Sequence, residues 1–115
     1  MTFYMIQWLY KDPAIKAMVE SPQDRPGELK KVVAAFGGKV EHFFFTFGEY
    51  DGLAIVEFPD PPSCVACVLT LEAAGNNAKI RTTSLMTPDD GLAAMEIARN
   101  AKTGYLPPTG YSSHG

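Results

Sequence analysis

The sequence predicts an α+β domain in which four antiparallel strands carry helices on one face. Three observations predict it. Apolar runs of strand length stand at 3–10, 40–47, 53–58 and 78–85, helix-period stretches lie between them, and Pro, Gly or Asp clusters mark most junctions. The chain has 115 residues, a length suited to one domain and above the size at which disulfides or metals must complete a core. With 46% hydrophobic and 20% charged residues, the composition excludes intrinsic disorder. Ten basic against thirteen acidic residues give a net charge of −3, without the basic patch of a nucleic-acid binder.

Each element has a local reason. Phe3 to Tyr10 is rich in aromatics and reads as the first strand. Asp12-Pro13 places an N-cap and a proline at the start of a short helix running to about Val19. Two prolines between Ser21 and Pro26 make the chain restart. Leu29, Val32, Val33 and Phe36 then fall at i, i+3, i+4 and i+7, one stripe of an amphipathic helix that Gly37-Gly38 terminates. Val40–Phe47 and Leu53–Phe58 read as a hairpin pair around Gly48-Glu49-Tyr50-Asp51. Asp60-Pro61-Pro62 opens a helix to Gly75 whose apolar residues lie almost all round, which predicts burial on more than one side. Ala78–Leu85 is the fourth strand, and Thr87-Pro88-Asp89-Asp90 resembles a capping box for a last helix to about Lys102. The order β-α-β-β-α-β with right-handed crossovers is that of a ferredoxin-like sandwich. The domain is expected over 1–102, with a Pro/Gly-containing tail over 103–115.

Alternation along the strands predicts what the sheet does. Phe3, Met5, Gln7 and Leu9 form one set in the first strand; Tyr4, Ile6, Trp8 and Tyr10 form the other. In the second strand the sets are Val40, His42, Phe44, Thr46 and Glu41, Phe43, Phe45, Phe47. Neither face is plainly polar, whereas a solvated face alternates cleanly. With helices on one side only, the second cover is expected to come from another copy or a large ligand.

The run Phe47-Gly48-Glu49-Tyr50-Asp51-Gly52-Leu53-Ala54-Ile55-Val56-Glu57-Phe58-Pro59-Asp60 resembles the signature of GYD domain proteins. Arg25, Gly37-Gly38-Lys39-Val40 and Arg81-Thr82-Thr83 are also similar to that family, over roughly residues 3–100. The resemblance implies a ferredoxin-like, dimeric α+β-barrel type of domain with no agreed activity. Cys64, Cys67 and the tail depart from the pattern.

Candidate chemistry is sparse. Gly48-Glu49-Tyr50-Asp51 offers a tyrosine and a carboxylate at a sheet edge, but glycine and aspartate also simply make turns. Cys64-Val65-Ala66-Cys67 at a helix start has the placement of a redox pair, while all-apolar surroundings favour buried, slow thiols. A zinc site would have to add His42 and His114. Gln7, His42, Glu57 and Arg81 share one sheet face if the hairpin loop has an even count. A few polar groups in an apolar concavity make a ligand site, with His42 as the catalytic candidate base and Gln7, Glu57 and Arg81 as ligand contacts. They serve equally as ion pairs and hydrogen bonds within an oligomer interface.

No glycine-rich phosphate loop or dinucleotide fingerprint is present, so no cofactor is expected. The absence of an export signal and of a membrane-length apolar run, with only two cysteines, points to the cytoplasm. The expected protein is a homo-oligomer assembling, or binding a small molecule, through its sheet face. The alternative is a cofactor-free isomerase or monooxygenase acting on a small aromatic or lactone-like acid. The tail is expected to pack on its own helices or a second subunit through Tyr105, Leu106 and Tyr111.

Overall fold

A computed structural model describes residues 1–110. Its elements are β1 (Thr2–Tyr10), α1 (Asp12–Glu20), α2 (Arg25–Ala35), β2 (Lys39–Phe45), β3 (Gly52–Phe58), α3 (Pro61–Ala73), β4 (Asn77–Leu85) and α4 (Pro88–Asn100). The strands form one sheet in the order β2-β3-β1-β4, with every neighbouring pair antiparallel. This is the ferredoxin-like arrangement, with α2 and α3 over one face.

Caps set the boundaries. Asp24 accepts from the Gly27 N–H at 3.0 Å, Asp60 from Ser63 at 2.9 Å and Thr87 from Asp90 at 3.1 Å, each satisfying an orphan donor of a first helical turn. At the end of α2, Gly37 (φ 78°) takes the left-handed conformation. The Gly37 and Gly38 N–H groups donate to Ala34 and Val33 carbonyls at 3.0 Å, a Schellman closure. Gly38 also permits a close approach: a Cβ there would stand 2.6 Å from the Glu57 carbonyl and 2.7 Å from the Phe58 ring.

The core lies between sheet and helices. Ile6, Trp8, Ala54, Val56 and Phe58 face Leu29 and Val33 of α2 and Cys64 and Cys67 of α3. Both cysteines are free and buried. Burial pushes their thiols up, Cys67 to about 11 with Cys64 adding to the shift.

Four expectations are corrected. First, β2 stops at Phe45; Thr46 and Phe47 join the loop, with Phe47 fully exposed. Second, the pairing of β2 with β3 slips between Val40 and His42. This bulge at Glu41 puts Val40 on the core side with Phe43, instead of on the face of His42 and Phe44. Third, α3 is buried on one side only: Cys64 and Cys67 point in, while Val65 and Leu69 are exposed, because no further layer among the described residues covers it. Fourth, Tyr105 and Leu106 stand in solvent, 75% and 84% exposed, so they do not pack on the chain's own helices. Tyr111 and His114 lie outside the described residues.

The last helix is separate in character. α4 buries no residue, and Leu92, Met95 and Ile97 are exposed. It helps give the chain its elongated extents of 58 × 33 × 22 Å. No helix among the described residues is long and apolar enough to cross a membrane.

Candidate functional site

The strand register brings the predicted polar residues to one face. Opposite Arg81 on β4 lies Gln7 on β1, then Leu53 on β3 and Phe44 on β2. The next row is Thr83, Met5, Ile55 and His42; the one beyond is Leu85, Phe3, Glu57 and Lys39. Gln7 and Arg81 are therefore direct cross-strand neighbours, and His42 lies diagonal to Glu57. The two pairs are separated by Met5, Ile55 and Leu53. Among the described residues, no hydrogen bond or ion pair joins any two of the four.

The bulge at Glu41 makes this grouping possible. Without the extra residue, His42 would alternate with Val40 on a common face, and either the core would lose Val40 or the open face would lose His42. The face is apolar at its centre, with Phe3, Met5, Leu53 and Ile55 partly buried, and charged at its margins through Lys39, Glu57, Lys79 and Arg81. His42 and Phe44 stack at the β2 edge, ring centroids 6.3 Å apart.

The Gly-Glu-Tyr-Asp turn is structural. The Asp51 carboxylate accepts from the Tyr10 N–H at 2.9 Å, and the Asp51 N–H donates to the Trp8 carbonyl at 2.8 Å. Thr46 donates its hydroxyl to the Tyr50 carbonyl at 2.6 Å. Tyr50 is buried, with Lys79 Nζ 5.3 Å from its ring centroid and Glu49 3.7 Å from the same ammonium. These contacts tie the hairpin to the end of β1, so turn-making accounts for Asp51. The two cysteines likewise sit in the core, where burial raises both thiols, the opposite of the depression that activates a redox cysteine. No group of three or more His, Cys, Asp or Glu side chains among the described residues is placed to hold a metal.

Sequence reasoning missed a cavity on the opposite side of the sheet. A space of about 250 Å³ opens between α2 and the end of α3, floored by Trp8 and Ile80 and walled by Leu29, Phe43 and Leu71. Arg25, Glu28 and Asn77 also line it. Helical periodicity shows that Leu29 and Leu71 face the sheet, but a gap between two helices depends on their splay.

The described architecture defines a ferredoxin-like α+β domain. The GYD domain family model matches residues 4–95, and the chain belongs to that family. No curated protein matches the sequence. Among solved structures, TTHA0845 from Thermus thermophilus is similar with a TM-score of 0.53 at 15% identity, covering 76% of this chain and 95% of its own. MtbAldR is similar with a TM-score of 0.50 at 18% identity over 75% of this chain, which spans only 52% of that protein's length. At such identities these likenesses establish the fold and no activity.

Proposed function

We propose that this GYD domain works as a homo-oligomer assembled through the open face of its sheet, with Gln7, His42, Glu57 and Arg81 at the seam between copies. One observation carries the reading. The uncovered face has the apolar centre of a packed face, yet no described residue of the chain covers it.

Charge supports the same surface. Arg81 and Glu57 make no ion pair among the described residues, although both stand on this face. In an isologous contact each copy presents both signs, so leftover opposite charges can pair across the seam. Area brings in the last helix. Four strands about 4.8 Å apart and about seven residues long give the face a footprint of roughly 450 Å², against about 800 Å² per partner in a standard interface. The exposed Leu92, Met95 and Ile97 of α4 offer the apolar surface to make up the difference.

Small-molecule binding at this face, and the isomerase or monooxygenase alternative, both need an enclosed space beside His42. A single chain leaves His42 exposed and unlinked to Glu57 or Arg81. Either reading therefore depends on the second copy to wall the site.

Light scattering at micromolar concentration tests the proposal. The expected mass is at least twice the 12.5 kDa of one chain. Ile55→Lys, which puts a charge at the centre of the face, is expected to reduce it to one chain while keeping the helix and sheet signature in circular dichroism. A wild-type monomer overturns the reading, and so does an Ile55→Lys protein of unchanged size.

A further inference from the structure

We infer that the cavity between α2 and α3 is a binding site for a small aromatic carboxylic acid. It lies on the covered side of the sheet, away from the proposed assembly face.

Size limits the ligand first. An apolar protein cavity of roughly 150 Å³ accommodates benzene, so a space of about 250 Å³ takes one aromatic ring with one or two short substituents. The lining is chiefly apolar, and Trp8 and Phe43, with ring centroids 5.2 Å apart, supply aromatic surface. An alkyl chain would fill the same volume with poorer complementarity to two rings.

Polar groups decide the rest. Trp8 is only 7% exposed, and its indole Nε1–H is buried without a hydrogen-bond partner. Asn77 Oδ1 is buried without one as well. Both residues line this cavity. Neither atom opens to the space, since each is fully shielded, the indole nitrogen against the Gly52 backbone. The polar selection therefore comes from a charged group at the rim.

The carboxylate follows from Arg25. The residue is half-buried beside the cavity, and its guanidinium donates to the Gln23 amide oxygen at 3.2 Å, with no acidic partner among the described residues. The neighbouring acid, Glu28, is held 3.0 Å from Lys31. Arg25 is thus the available cation at the opening, and its planar fork suits a carboxylate.

The chain contains one tryptophan, so occupancy has its own reporter. In a ¹H–¹⁵N spectrum of the full-length protein, the single indole N–H cross-peak is followed during titration with 4-hydroxyphenylacetate. A saturable shift in the micromolar to millimolar range is expected. Its neutral counterpart, 2-(4-hydroxyphenyl)ethanol, is expected to bind about tenfold more weakly, a typical effect of losing a charge-assisted hydrogen bond. Arg25→Gln should erase that difference, and Val32→Phe, which fills the cavity from α2, should abolish the shift while the remaining spectrum stays dispersed. The shift should persist in Ile55→Lys, because the cavity belongs to one chain. No saturable shift with either compound overturns the site. Equal binding of acid and alcohol by the wild type, or loss of the shift in Ile55→Lys, overturns the acid-binding, single-chain assignment.

Discussion

The two faces of the sheet share an apolar centre and differ in their margins and their cover. On the covered face, Ile6, Ala54, Val56 and Phe58 are at most 1% exposed. On the other, Met5, Leu53 and Ile55 come from the same strands, alternate with them and are only partly buried. At the centre, hydrophobicity does not distinguish the faces and cover does; at the margins, the open face alone carries charge. The helix face is buried by α2 and α3 of the same chain, whereas no described residue covers the apolar centre of the open face, the observation on which the proposed assembly rests.

The sharpest way to break this comparison is to truncate one ring on each face. Phe58→Ala removes a fully buried side chain and is expected to cost about 3–5 kcal/mol. Phe44→Ala, at a ring 57% exposed, is expected to stay within about 0.5 kcal/mol in the Ile55→Lys background, where assembly is absent. Urea unfolding of both variants measures the contrast. Comparable losses would mean that the open face is already covered within one chain.

A smaller effect is expected where the covered face is tight. A Cβ at Gly52 would overlap the Trp8 indole, which lies across that position from the neighbouring strand. Gly52→Ala should therefore destabilise by about 1–3 kcal/mol through overpacking and move the Trp8 emission. An unchanged melting temperature would show that the indole has room to shift, and that the core on this side is looser than its burial suggests.

The smallest effect concerns the thiols. Cys67 has a folded-state pKa raised to about 11 from an ordinary value of 9.0, chiefly by burial. The folded state thus holds its proton more tightly than the unfolded state does. Its contribution is complete below about pH 9 and is lost as pH rises toward 11. The urea midpoint should fall over that window, and less so in Cys67→Ala. Native thiols should react slowly with a labelling reagent at neutral pH and quickly in urea. Rapid native labelling would show that α3 opens readily and would return the cysteine pair to consideration as redox-active.

Much of the fold was legible because its signals are local. Proline and aspartate at 60–62 and 87–90 marked helix starts, and the caps are there, on Asp60 and Thr87. Gly37-Gly38 marked a helix end, and the Schellman closure is there. Strand alternation also put Gln7, His42, Glu57 and Arg81 on one face. The register keeps that grouping although β2 pairs differently from expectation: the bulge at Glu41 moved Val40 to the core without moving His42.

Element order, the apolar centres of both sheet faces and the family signature at the hairpin could be read from the chain alone. Each follows from residue type and spacing within a few positions. Packing in three dimensions was needed to show that Asp51 is taken up by the Tyr10 N–H, that α3 leaves Val65 and Leu69 outside, and that α4 buries none of its residues. It alone opened a cavity beside Trp8 and Asn77 and left their buried polar atoms without partners. These depend on how separate elements meet in space. A periodic pattern tells which side of a helix seeks cover, but the splay between two helices and the bonds available at their junction arise only when both are packed on the same sheet.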